Sequence, residues 1–157
     1  MFANAVLEHL GEPLKALSEM KRVVKSGGVV GVRDTDQGSH VYPESLKVYL
    51  AAMQQMWKHN DGNPFIGREL RPLLVQAGFV STQGSATVDC FGTAEGVKFY
   101  AETNQSMIRG SYGSTMVERG IATRTELESF DDAFEQWKKR PDAFAGICYC
   151  EALGWKA

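Results

Sequence analysis

The sequence has little cysteine, no excess of basic charge, no apolar run of bilayer length and no glycine-rich loop between a strand and a helix. Its 17 Lys and Arg against 19 Asp and Glu give a formal net charge of -2 and a pI near 5.9. That balance argues against a nucleic-acid partner, because binders of the phosphate backbone carry a basic stripe. The local basic groups Lys21, Arg22, Lys25 and Lys138, Lys139, Arg140 fall near expected helix ends, where cations complement the helix dipole. The apolar runs are too short for a membrane span, and the first residues carry neither a basic lead nor a long hydrophobic stretch. No membrane association and a cytoplasmic location are therefore expected. The cysteines, Cys90, Cys148 and Cys150, are odd in number and lack CxxC spacing, which indicates neither a disulfide framework nor a metal site. Cys148 and Cys150 share one face of an expected strand and read as small core residues.

What is present is ordinary globular composition: 157 residues, 43% hydrophobic and 23% charged. Such a chain suffices for one core and one domain over residues 1–157. Glu12 to Lys25 places Leu14, Leu17, Met20, Val23 and Val24 at helical spacing, with Pro13 suited to the first turn. Gly27 and Gly28 stop that helix, and Val29 to Val32 form a wholly apolar run, as in a strand covered on both faces. A second helix is expected from Pro43 to His59, with Leu46, Tyr49, Leu50, Met53, Met56 and Trp57 as its stripe. A short one follows from Arg68 to Ala77, stopped by Gly78. From Phe79 to Cys90 the even residues Val80 to Cys90 share a parity, which reads as a strand. A mostly helical stretch occupies about 93–140, its last helix opening on Thr125 with Glu128 as a capping box. Ala143 to Leu153 closes the series as an apolar and aromatic strand.

Four segments in this order resemble the second half of a class I S-adenosylmethionine-dependent methyltransferase of the UbiE or type 11 kind. Ala5-Val6-Leu7-Glu8-His9-Leu10 is similar to the end of the family's fourth strand and the loop after it. Ala16 to Gly28 (ALSEMKRVVKSGG) is similar to its helix and Gly-Gly turn, with Ser26 where proline is usual. Gly67-Arg68-Glu69-Leu70 leading to Ala77-Gly78-Phe79, and Trp137 to Phe144 (WKKRPDAF), resemble two later segments. The resemblance implies an α/β fold: a partial Rossmann-like sheet, its strands equivalent to the fifth, seventh and sixth, with flanking helices and a helical insertion before the last strand.

It also implies S-adenosylmethionine as cofactor and a small-molecule methyl acceptor. Catalysis there needs little acid-base machinery, because the sulfonium methyl is already activated and the protein mainly aligns the reactants and excludes water. In the family a glycine-rich loop after the first strand and a carboxylate after the second grip the cofactor. The candidate here, Ser26-Gly27-Gly28, follows a helix and precedes a strand, the reverse of a nucleotide cradle. The chain is thus expected to be incomplete alone, and whether it acts as an enzyme or binds S-adenosylmethionine without a complementing half stays open. Asn4, Glu8 and His9 are its candidate cofactor contacts; His9, Asp34 and Asp36 its candidate catalytic residues; Arg33, Asp36, His40, Tyr42, Trp57 and Phe65 its candidate substrate contacts. Each also has a plain structural role available, as a loop acid, a helix start or core.

One strand edge adds an expectation. Val29 to Val32 would pair with the family's fourth strand, so its edge should be covered, either by a second copy in a homodimer or by Phe2 to Leu7. The alternative to an incomplete methyltransferase is then a dimeric small-molecule-binding or interaction module derived from one.

Overall fold

The computed structural model describes residues 1–157 and is a mixed α/β protein. Four strands make one sheet: β1 (Phe2–Asn4), β2 (Val29–Thr35), β3 (Ser81–Phe91) and β4 (Ala145–Trp155), in the spatial order β1-β2-β4-β3. Six helices accompany them: α1 (Pro13–Val23), α2 (Lys47–His59), α3 (Leu70–Gln76), α4 (Ala94–Arg109), α5 (Ser111–Glu118) and α6 (Arg124–Trp137). The order β2-β4-β3 is the expected fifth-seventh-sixth arrangement. β4 runs antiparallel to β2, with Val29 opposite Trp155 and Thr35 opposite Tyr149.

The edge of β2 is covered from within the chain. β1 lies parallel to it, pairing Phe2 with Gly31, Ala3 with Val32 and Asn4 with Arg33. The N-terminal ammonium donates to the Val29 carbonyl at 2.9 Å, and the Gly31 amide donates to Met1 at 2.9 Å. Of the two expected covers, the chain's own first residues are in place, although the strand ends at Asn4. Ala5 then takes a left-handed φ of 52° and leads into a tight turn over Leu7–His9. β2 itself runs three residues beyond Val32, to Thr35.

By contact density the chain forms two compact units. The first comprises residues 1–40, 57–89 and 147–157. Its core joins Leu7, Leu17, Val30, Val32, Ile66, Leu70, Leu74, Phe79 and Ala152, so α1 and α3 cover one face of the sheet. Gly27, at φ 72°, makes the turn from α1 into β2. The second unit comprises residues 41–56 and 90–146. Its centre is aromatic, with Phe130, Phe134 and Trp137 of α6 meeting Tyr49 and Tyr100, mostly edge to face. The buried Tyr49 hydroxyl donates to Asn104 Oδ1 at 2.9 Å, and Asn104 Nδ2 donates to the Tyr100 carbonyl.

One sequence expectation is corrected. The capping box of α6 is formed by Thr123 and Glu126, each bonding the other's backbone, not by Thr125 and Glu128. β3 forms where the shared parity of Val80 to Cys90 indicates a strand. The strand is the outermost of the sheet and is exposed along nearly all its length. No helix is long and apolar enough to cross a membrane.

Candidate functional site

β1 and β2 are parallel, so their carboxyl ends lie at the same end of the sheet, where α/β folds place their sites. The turn after β1 brings Glu8 and His9 beside Asp34 and Thr35 at the end of β2. Asp34 is fully buried; its Oδ1 accepts from the Glu8 amide at 3.2 Å and its Oδ2 has no hydrogen-bond partner. Burial, reinforced by the neighbouring Glu8 carboxylate, pushes the Asp34 carboxyl up to about 6, against the pull of backbone hydrogen bonds. Glu8 is also buried, with Oε2 accepting the Thr35 hydroxyl hydrogen and Oε1 at 3.5 Å from His9 Nε2. The His9 ring stacks on Trp57, centroids 5.5 Å apart and planes at 29°.

Asp36 and His40, one step outward, are engaged otherwise. Asp36 is buried, accepts a bidentate pair of hydrogen bonds from Arg68 at 2.7 Å each, and receives the Gly38 amide at 3.0 Å. That pattern closes the 37–39 turn and ties it to the segment before α3. His40 Nδ1 accepts the Cys148 amide at 3.1 Å, and burial holds the imidazole down at about 4, hence neutral at physiological pH. Arg33 spans the opposite face of the sheet, 3.6 Å above the Tyr149 ring, contacting Asn4 Oδ1 at 3.3 Å and Glu151 at 3.3 Å.

The family described as "Methyltransferase domain" matches residues 1–32, the stretch holding β1, the Glu8–His9 turn and α1. "Probable methyltransferase ltbC" of Aspergillus luteorubrus is 29% identical over 161 residues, 92% of this chain and 54% of that protein. The chain is thus similar to methyltransferases over parts of its length. An uncharacterized methyltransferase of Schizosaccharomyces pombe is 38% identical over 96 residues, 59% of this chain and 34% of its own length. The methyltransferase-like chain thus spans about half the length of the Aspergillus relative and about a third of the Schizosaccharomyces one. Among solved structures, phosphoethanolamine N-methyltransferase 2 of Haemonchus contortus, in complex with S-adenosyl-L-methionine, aligns over 99% of this chain and 33% of its own. The TM-score is 0.46 at 13% identity.

Of the candidate residues in this methyltransferase-like chain, the fold brings Glu8, His9, Asp34 and Trp57 into one cluster. Asn4 and Arg33 pair with each other, Arg33 donating to Asn4 Oδ1 at 3.3 Å. Asp36 sits in its ion pair with Arg68, which lies 5.7 Å from the Phe65 ring. Tyr42 belongs to the second unit and accepts the Tyr100 hydroxyl hydrogen at 2.7 Å. Thr35 and Arg68 were not singled out from sequence; the only signal for Thr35 was its place at the carboxyl end of a strand.

The Gly27 and Gly28 amides are used internally, donating to Lys156 and Lys25 carbonyls at 2.9 Å each. No group of His, Cys, Asp and Glu is placed to hold a metal ion.

Proposed function

We propose that this chain supplies the acceptor side of an S-adenosylmethionine-dependent methyltransferase, with a small molecule as acceptor, and that activity requires a complementing half that grips the donor. The observation that carries the reading is the cluster of Glu8, His9, Asp34 and Trp57 at the carboxyl ends of a parallel strand pair. Similarity to methyltransferases and the greater length of those relatives support it. Asn4, Glu8 and His9 would then be the residues nearest the donor, approaching it from the acceptor side. Calorimetric titration of the purified chain with S-adenosylmethionine tests the division of labour. Negligible heat through the micromolar range is expected; binding tighter than millimolar would overturn it.

A second reading is favoured by one feature of the sheet. β3 is an eleven-residue outer strand with little cover on either face, which suits a homodimeric small-molecule-binding or interaction module joined along that edge rather than along β2.

A further inference from the structure

We infer that β3 pairs with β3 of a second copy of this chain as an antiparallel strand, the two-fold axis standing at Ala86. Two four-stranded sheets then run on as one. The inference rests on the dimer reading above and goes past it by fixing which residues meet. β3 is the outermost strand, and from Ser81 to Cys90 every residue except Thr82 is exposed. It carries neither lysine nor proline to discourage pairing with another chain. A two-fold perpendicular to the sheet joins identical edges and continues each face as itself. Ala86 is the midpoint of Ser81–Phe91, so pairing about it engages the whole strand in both copies. Any other register leaves main-chain groups at both ends without a partner strand.

The side chains select the same register on both faces. About Ala86, Val88 of each copy falls opposite Gly84 of the other. A Cβ at Gly84 would stand 3.5 Å from Arg71 Cδ, so the methylene stem of Arg71 borders a position that has no side chain of its own. Val88 is half exposed in the single chain. In the pair its isopropyl group covers Gly84 and lies along that stem, and symmetry makes the contact twice. On the other face, the Ser85 and Thr87 hydroxyls donate to Glu151 at 3.1 and 2.8 Å. Ser85 meets Thr87 there, a favourable cross-strand pair. Asp89, 3.6 Å from Arg33, falls opposite Gln83, whose carboxamide has hydrogens to donate to it. Positions 83 and 89 differ by six residues, so the two Asp89 carboxylates lie roughly 20 Å apart, beyond the screening length of about 8 Å. An axis moved to residue 89 would set them face to face.

Cysteines on the strand test the register, because Cys90 is exposed and outside any disulfide. The axis at Ala86 sets position 82 opposite Cys90 and position 86 opposite its own copy. The full chain, Thr82→Cys and Ala86→Cys are each treated with dibromobimane, which bridges neighbouring thiols, and resolved on a denaturing gel. Several-fold more covalent dimer is expected in both variants than in the parent, with mass spectrometry mapping the bridges to 82–90 and 86–86. A 90–90 bridge in the parent, an 86–90 bridge, or monomer alone in both variants would each overturn the inference. Light scattering of the same samples separates the failures. A dimer bridged elsewhere loses this register and keeps the dimer reading, whereas a chain that stays monomeric loses both.

Discussion

Asp34 shows how one buried carboxyl writes itself into stability. Its folded value of about 6 lies above the ordinary 3.8, so the native state holds the proton more tightly than the unfolded chain. Stability is then lost as pH rises between those two values and stays lower above them. Asp34→Asn keeps the Oδ1 acceptor for the Glu8 amide and removes the charge. In urea titrations the variant should be more stable than the parent by on the order of 2 kcal/mol at pH 8, and equal to it near pH 3. A difference that does not change with pH would show that burial of the charge is not the cause. The strand-end acids were visible in the sequence as candidates, because a run of Val followed by Arg33-Asp34 marks where a parallel strand stops. Their separate roles were not visible. Asp34 and Asp36 have the same side chain two positions apart, and only tertiary partners make one an enclosed acceptor beside Glu8 and the other the seat of Arg68. Glu8 was legible as a polar residue after an apolar run, but its burial depends on the left-handed bend at Ala5, which no local rule assigns to alanine.

Helix and strand identities were legible where periodicity and punctuation agreed. α1, with Pro13 at its start and the Gly27–Gly28 turn after it, differs from expectation only at its ends. The start of α6 was ambiguous because Thr123-Arg-Thr-Glu126 and Thr125-Glu-Leu-Glu128 both satisfy the capping-box spacing. In the fold Thr123 accepts the Glu126 amide at 3.2 Å, while the Glu126 carboxylate accepts the Thr123 amide at 2.7 Å. Replacing the two threonines separates the alternatives. Thr123→Ala should cost about 1 kcal/mol of unfolding free energy, the usual value of a helix cap, and Thr125→Ala should leave stability nearly unchanged. The opposite order in thermal or urea unfolding would place the helix start two residues later. β3 was legible as a strand from the same alternation, but its exposure was not. Alternation reports which side chains share a face, and says nothing of whether another layer covers that face.

At the scale of the molecule, the sheet has one short margin and one long one. β1 is three residues long and closes the edge of β2, so the apolar Val29–Val32 run is already paired. β3, at the other side, is eleven residues long, with Val88 48% exposed. Natural edges of that length carry lysines, prolines or bulges that discourage pairing with another chain. Ser81 to Cys90 has no lysine and no proline, and its single charged side chain is Asp89. The second reading of function therefore makes a definite statement about mass in solution: the chain should self-associate as concentration rises, through strand addition at β3. Light scattering across a concentration series should show the parent chain moving toward twice the monomer mass, and Val88→Lys should hold it at the monomer. Val88 is half exposed on the outer strand, so the substitution places a charge at that margin. A parent chain that stays monomeric up to high micromolar concentration would remove the dimer reading. The acceptor-side reading does not need the edge and would survive that result, because its cluster lies at the carboxyl ends of β1 and β2 and draws no residue from β3.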